Sequence, residues 1–294
     1  MNQEKTDKLR SVLSDIGSAV VAFSGGVDSS VLLAVAHQVL GKPNCLAVFL
    51  KSSFSTEREY DEALRFCAEC GFDLMVWQID VLEVFGVREN PPNRCYLCKQ
   101  NMLRELEHIA MQKGFNAVIE GSNLDDLDDY RPGRQALLES RMTRSPLLEA
   151  GFTKADIREL AHVLGLRQAD KPSNACLATR FRTGHHYTCN NLARVEKCED
   201  LLHDMGFELV RVRVEPDWQK PAGGDWRDDF RGTADSGEKA RVELGEQDLA
   251  RLADLGLRQA VIDALLAEGY LTAEIDEQGY RRGSMNRAAS NLGV

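Results

Sequence analysis

Apolar residues recur in four short runs in the first half of the chain, at 19–23, 45–50, 74–79 and 117–119. Between them, segments 30–40, 56–70 and 96–113 carry apolar residues at helical spacing. Short apolar runs alternating with amphipathic segments predict βαβ units, with buried parallel strands and helices on both faces. A further helix is expected over 153–164, where Thr153 reads as the N-cap and Asp156 follows three residues on. After a polar loop at 171–188 the pattern changes to a helix (190–205), an alternating strand (208–214), a long polar loop (215–237) and a short strand (240–244). Two helical stretches (246–254 and 258–268) and a strand (270–275) close the chain. The expected fold class is α/β, a doubly wound, mostly parallel sheet over residues 1–188, with a smaller α+β domain over 189–294 for substrate binding or oligomerisation.

Composition narrows the class. The chain has 294 residues, 43% hydrophobic and 28% charged, as in an ordinary globular protein. No stretch of about 18 apolar residues is present, so no membrane span is expected. The first ten residues are polar and charged with no apolar core, which points to the cytoplasm and to reduced thiols. The formal net charge of −10 argues against a nucleic-acid partner, because proteins that grip phosphate backbones carry basic patches.

Ser24-Gly25-Gly26-Val27-Asp28-Ser29 follows the first apolar run directly and opens the first helix. At a strand-to-helix junction the free N–H groups and the helix dipole favour an anion. Gly25 and Gly26 let the backbone approach phosphate oxygens, while Ser24, Ser29 and Ser30 add hydroxyl donors. The loop lacks the Gly-Lys-Ser/Thr of a Walker A loop and the G-x-G-x-x-G of a dinucleotide fingerprint. Asp28 is a candidate ligand for a phosphate-bridging Mg²⁺; its competing role is to satisfy N–H groups at the helix start. The loop resembles the PP-loop of the ATP pyrophosphatase superfamily, whose members bind ATP, adenylate an acceptor oxygen and release pyrophosphate. Glu120-Gly121-Ser122-Asn123 is expected at the same sheet edge.

There are eight cysteines. Cys45, Cys189 and Cys198 are isolated and read as small residues in or near a core. Cys67 and Cys70 lie late in a helical segment, one facing inward and the other ending the helix before Gly71. Cys95 and Cys98 differ, because Pro91-Pro92 forces an extended approach and a helix starts at once after them. A helix N-terminus flanked by Arg94 and Lys99 suits thiolates that ligate a metal or a cluster, or act as a redox pair. Cys176, in a polar loop with Lys171 and Arg180 nearby, is a candidate nucleophile. Arg211 and Arg213 alternate along a strand and so share a face, from which they can grip phosphate and carboxylate groups.

Taken together these segments are similar to the LarE family of ATP-dependent sulfur transferases, over nearly the whole chain. The resemblance is carried by Phe23 to Ser29, Asn90-Pro91-Pro92-Asn93-Arg94-Cys95-Tyr96-Leu97-Cys98-Lys99, Gly121 to Asp126, Asp129-Tyr130-Arg131-Pro132-Gly133 and Arg144 to Gly151. It continues in the Cys176 loop, in Arg211-Val212-Arg213 and in Gly279 to Asn286. The resemblance implies that a ring carboxylate of a pyridinium biscarboxylic acid mononucleotide is adenylated with ATP and Mg²⁺. Sulfur then displaces AMP to give a thiocarboxylate for the nickel-pincer nucleotide cofactor. It implies a nucleotide site drawing on Ser24, Gly25, Gly26, Asp28, Ser29, Ser30, Gly121, Arg180, Arg211 and Arg213, and a homo-oligomer. Catalysis would fall to Cys176, Cys95, Cys98 and Asp28. Family members with only the cysteine matching Cys176 sacrifice its sulfur and are left with dehydroalanine. Those with two more hold a [4Fe-4S] cluster on three cysteines, and Cys95, Cys98 and Cys176 place this chain with the latter.

Two features depart from the family pattern. Phe181-Arg182-Thr183-Gly184-His185-His186-Tyr187 replaces an Ile-Pro-Tyr-Gly-like run, and 215–237, with Trp218 and Trp226, looks like an insertion. The insertion leaves Glu196 and Glu243 as candidate metal-binding acids only. Three alternatives stand beside the sulfur transferase. They are a tRNA thiolation enzyme, which the acidic composition opposes, an ammonia-using ATP pyrophosphatase, which would not need the three cysteines, and a nucleotide-binding module without catalysis.

Overall fold

The computed structural model describes residues 3–127, 133–172, 174–216 and 237–281. The chain divides into two compact units, one of residues 1–84 and 93–174, the other of 85–92 and 175–294.

The first unit is built on five parallel strands, β1 (Ala19–Ala22), β2 (Cys45–Lys51), β3 (Leu74–Gln78), β4 (Ala117–Ile119) and β5 (Thr143–Arg144), in the order β3-β2-β1-β4-β5. Its helices are α1 (Gln3–Ile16), α2 (Val27–Leu40), α3 (Glu57–Cys70), α4 (Arg94–Lys113), α5 (Gly133–Glu139), α6 (Pro146–Glu149) and α7 (Lys154–Val163). The two-residue period of the strands sorts side chains onto two faces. Ala19, Val21, Ala47, Phe49, Ala117 and Ile119 pack with α1, α2, α3 and α7, whereas Val20, Val48, Leu50 and Val118 pack with Leu106, Ile109 and Ala110 of α4. This is the doubly wound architecture the alternating pattern predicts. Helices α3 and α7 each start on a reciprocal capping box, Thr56 with Glu59 and Thr153 with Asp156.

Four of these elements, α1, α5, β5 and α6, were not anticipated. Helix α1 is polar overall, yet Leu9, Leu13 and Ile16 form an inward stripe. Strand β5 is two residues long and rests on β4 alone. The strand order reverses between β1 and β4, because the chain leaves β1 toward β2 and β3 and then crosses back to β4. Ligands of open α/β sheets bind at the carboxyl ends of strands at such a reversal.

The second unit is α+β. It contains α8 (Cys189–Asp204), β6 (Val210–Pro216), β7 (Glu238–Leu244), α9 (Glu246–Arg251), α10 (Leu255–Ala267) and β8 (Thr272–Ile275). The sheet runs β6-β7-β8, with β6 antiparallel and β8 parallel to β7. Residues 85–92 join this unit through Tyr187 N–H to the Arg88 carbonyl (2.9 Å) and Gly184 N–H to the Asn90 carbonyl (2.8 Å). The insertion expected at 215–237 lies outside the described residues from 217 to 236, Trp218 and Trp226 included. No helix among the described residues is long and apolar enough to cross a membrane.

Of the two adjacent histidines, His185 is built into this unit. Its Nε2 lies 2.9 Å from Glu238 Oε1, while Arg194 pairs with the other oxygen of Glu238. Burial, with the Arg194 charge second, pulls the His185 pKa down from 6.5 to about 4. The imidazole is therefore neutral in the folded chain, and Glu238 takes its compensation from Arg194. A histidine depressed on folding contributes stability that is present above its unfolded pKa and is lost as pH falls toward the folded one. Between pH 6.5 and 4 the loss from this group is expected to reach on the order of 3 kcal/mol. Urea midpoints at pH 7 and 4.5 should differ less in His185→Gln than in the wild type; equal acid sensitivity would remove His185 as the cause.

Candidate functional site

The predicted phosphate loop leaves β1 and enters α2. Gly25 has φ 71°, a left-handed conformation open to glycine, and Gly26 is the N-cap of α2 with no side-chain cap. Ser29 ties the loop together, accepting from the Ser24 N–H at 3.3 Å, lying 3.2 Å from Ser24 Oγ and donating to the Gly26 carbonyl at 3.1 Å. The Gly26 N–H reaches Ser24 Oγ at 3.4 Å. Helix α2 begins at Val27, three residues earlier than its apolar pattern suggests, so Asp28, Ser29 and Ser30 stand in its first turn.

Gly121, just beyond β4, is brought onto the same loop. A Cβ there would lie 3.1 Å from Asp28 Cβ and 3.1 Å from the Ser29 nitrogen. Only a residue without a side chain lets the two strand ends approach this closely. Glu120 beside it is buried, accepting from Ser122 N–H (3.1 Å) and Oγ (2.9 Å), from the Ser145 hydroxyl and from Lys99 Nζ at 3.5 Å.

Asp28 carries the clearest electrostatic signature. Its Oδ2 is paired with Lys154, whereas Oδ1 is buried without a hydrogen-bond partner. Burial raises the carboxyl above its ordinary value against the pull of Lys154, and Asp126 pushes in the same direction as burial. An orphaned carboxylate oxygen at the mouth of a phosphate loop fits a hard cation such as Mg²⁺, which takes oxygen ligands and bridges phosphates.

Two cations of this site escaped the sequence reading. Lys154 is the first residue of α7, and its side chain meets Asp28. Lys171 donates to the Gly25 carbonyl at 3.3 Å and pairs with Glu62 of α3. Lys154 was findable in principle, since the Thr153 cap places it at a helix start. Nothing local in the sequence pointed either lysine at a loop more than a hundred residues away.

None of the eight cysteines, all among the described residues, is in a disulfide. Cys45, Cys67 and Cys198 are buried, and burial pushes each thiol to about 12, which suits inert packing. Cys70 is exposed at the end of α3 before Gly71. Cys189, read as a core residue, is instead exposed at the start of α8.

Cys95 and Cys98 lie in the first two turns of α4, Cys95 exposed and Cys98 half-buried. Arg94 Nη2 donates to Cys95 Sγ at 3.4 Å, and Cys98 Sγ lies 3.8 Å from Met102 Sδ. Cys176 is exposed in the second unit. Among the described residues no group of three or more His, Cys, Asp or Glu side chains is gathered as a metal-binding set. The thiols of Cys95 and Cys98, at a helix N-terminus beside a guanidinium, are of the donor type that ligates soft metals.

Each of the three arginines has protein partners. Arg180 is 1% exposed and clamps Glu199 through Nε to Oε1 (2.8 Å) and Nη2 to Oε2 (2.9 Å). Its Nη1 donates to the carbonyls of Ala175 (2.5 Å) and Cys176 (3.2 Å), so the same guanidinium shapes the cysteine loop. Arg213 pairs with Glu243 at 2.7 Å and donates to the Thr179 carbonyl at 3.0 Å. Arg211 donates to the Val210 carbonyl and lies over the Tyr280 ring, 5.5 Å from its centroid. Glu243 is fully buried between Arg213 and Arg241. Of the segments that carry the family resemblance, residues 129–132, 173 and 282–286 lie outside the described residues.

A parallel sheet reversing between β1 and β4, with a Ser-Gly-Gly loop feeding α2, defines a PP-loop ATP pyrophosphatase. The NAD synthase family matches residues 1–103. Along nearly its whole length the chain is 34% identical to the pyridinium-3,5-bisthiocarboxylic acid mononucleotide synthase of Lactiplantibacillus plantarum, covering 96% of this chain and 94% of that protein. It is 33% identical to an uncharacterized protein of Synechocystis sp., covering 98% of each. To the NH(3)-dependent NAD(+) synthetase of Thermotoga maritima it is 36% identical over 39% of each chain. The chain belongs to the LarE family of pyridinium-3,5-bisthiocarboxylic acid mononucleotide synthases, and as such is an ATP-dependent sulfurtransferase.

Proposed function

We propose that this enzyme adenylates a carboxylate of pyridinium-3,5-biscarboxylic acid mononucleotide and exchanges AMP for sulfur, giving the thiocarboxylate used in nickel-pincer nucleotide synthesis. The observation that carries the reading is the phosphate loop at the strand reversal, in a chain similar end to end to a synthase of that thiocarboxylate. A carboxylate is a poor acyl donor because oxide leaves badly; AMP leaves well. The carboxylate oxygen attacks the α-phosphorus of ATP, the bond from α-phosphorus to the bridging oxygen breaks, and the electron pair leaves on pyrophosphate. Ser24, Ser29 and the first N–H groups of α2 meet that charge where it develops. Asp28 would hold Mg²⁺ through its unpartnered Oδ1.

For the sulfur, Cys95, Cys98 and Cys176 would hold a [4Fe-4S] cluster. Such a cluster, when bound by three thiolates, supplies one open iron for a sulfide. Arg180 fixes the backbone on either side of Cys176, and Arg94 offers positive charge to Cys95. A second reading is favoured by the exposure of Cys176 and the lack of a gathered metal set among the described residues. In it, Cys176 Sγ attacks the acyl adenylate and AMP leaves. Removal of the Cα proton then breaks the Cβ–Sγ bond, leaving thiocarboxylate and dehydroalanine.

Iron and acid-labile sulfide in protein purified without oxygen separate the two. The cluster reading expects about four irons per chain, lost in Cys95→Ala, with repeated turnover. Iron-free protein that makes one thiocarboxylate and loses the mass of H₂S at Cys176 would establish the sacrificial route. Pyrophosphate release that does not depend on the pyridinium mononucleotide would overturn the substrate assignment.

A further inference from the structure

A phosphate loop must stabilise the polyanion that leaves, and this one is poorly equipped to do so alone. Its single charged side chain is Asp28, an acid. A Walker A loop carries its own lysine; here the loop has none. The structure instead brings one lysine to each end of the loop from far along the chain. Lys154 reaches Asp28 across 126 residues, and Lys171 reaches the Gly25 carbonyl across 146.

Both are held by one helix. Lys154 opens α7, anchored by its own N–H to Asp125 Oδ2 at 2.7 Å. Arg158, one turn further on, donates to the carbonyls of Ala169 and Lys171, the latter at 2.9 Å. Ile157, Leu160 and Ala161 of α7 belong to the same core cluster as Val31, Leu32 and Val35 of α2. The two lysine backbones are thus fixed with respect to the loop, while the side chains stay reachable, 29% and 23% exposed. Each ammonium rests on a carboxylate, Lys154 on Asp28 and Lys171 on Glu62.

We propose that Lys154 and Lys171 are a two-cation clamp for the departing pyrophosphate, parked on Asp28 and Glu62 when the phosphate site is empty. The proposal rests on the adenylation reading. As the bond from α-phosphorus to the bridging oxygen breaks, the electron pair moves onto pyrophosphate, and each lysine exchanges a carboxylate for a phosphate oxygen. Glu62 is then a competitor of the ligand. A merely structural Lys171–Glu62 tie predicts the opposite, that Glu62 supports the site.

The test is binding of Mg·pyrophosphate by calorimetry, together with steady-state pyrophosphate release. Lys171→Gln should weaken pyrophosphate binding about ten- to a hundredfold and lower kcat more than it raises KM for ATP, with partial rescue in Lys171→Arg. Glu62→Gln should tighten pyrophosphate about two- to fivefold, and Glu59→Gln, which removes a neighbouring charge on α3 that does not touch Lys171, should leave it unchanged. Weaker binding in Glu62→Gln, or equal tightening in Glu59→Gln, would overturn the clamp while leaving the adenylation reading in place. If the wild type neither binds pyrophosphate nor releases it from ATP, the adenylation reading falls and the clamp falls with it.

Discussion

Asp28→Asn should lower pyrophosphate release by about 10²–10³-fold while leaving the fold intact. The substitution is isosteric and keeps an oxygen for Lys154. It removes a charge that burial already disfavours, so relief of desolvation offsets part of the lost ion pair. What it cannot keep is an anionic oxygen at the position of Oδ1, which is buried with no protein donor to satisfy it. That oxygen is the one feature of Asp28 that neither the helix start nor Lys154 explains. If Asp28 only satisfied N–H groups at the N-terminus of α2, asparagine would serve nearly as well, because it too is a good residue at helix starts. Thermal unfolding within a few degrees of wild type, with Mn²⁺ binding lost by electron paramagnetic resonance, would locate the defect in the metal. Wild-type turnover, or collapse of the fold, would refute the assignment.

The same contrast explains what was legible in the sequence. The phosphate loop could be read because its residues are contiguous, and the strand before and helix after it have clear periods. The doubly wound sheet could be read because burial on both faces makes β1, β2 and β4 continuous apolar runs. Helix α1 escaped because a two-turn stripe of Leu9, Leu13 and Ile16 is thin against ten polar neighbours. Strand β5 escaped because two residues carry no period at all. The lysines of the loop escaped for a different reason: an ion pair between residues 28 and 154 is a product of the fold, with no local pattern to announce it. The arginines show the converse. Arg180 and Arg213 were legible as important charges, but not the acids that receive them, since Glu199 and Glu243 are set by helix packing and by strand register. Arg211 stands opposite Glu243 across the β6–β7 pair, yet it is Arg213 that takes its carboxylate. Diagonal neighbours in a sheet lie within reach of a long side chain, and the sequence does not choose among them.

Arg180 is where stability and chemistry meet in the second unit, and its replacement should have the largest effect on folding. Burial works to raise the Glu199 carboxyl, yet Arg180, Arg211 and the Val212 N–H (2.9 Å) hold it below its ordinary value. Arg180→Met removes the bidentate partner and leaves a buried anion under-compensated, at a cost of about 3–5 kcal/mol. Urea unfolding of this unit should shift accordingly. Arg180→Met with Glu199→Leu should recover only part of the loss, because the Val212 N–H and Arg211 then face an apolar side chain. Arg180→Lys separates the two roles. An ammonium keeps the charge opposite Glu199, but it lacks the planar fork that spans both carboxylate oxygens and the carbonyls of Ala175 and Cys176. The lysine variant should therefore fold with a smaller deficit, retain ATP-dependent pyrophosphate release and yet form much less thiocarboxylate, because the loop that presents Cys176 has lost its anchor. Thiocarboxylate yield equal to wild type in Arg180→Lys would show that the guanidinium serves the fold of this unit and not the placement of Cys176.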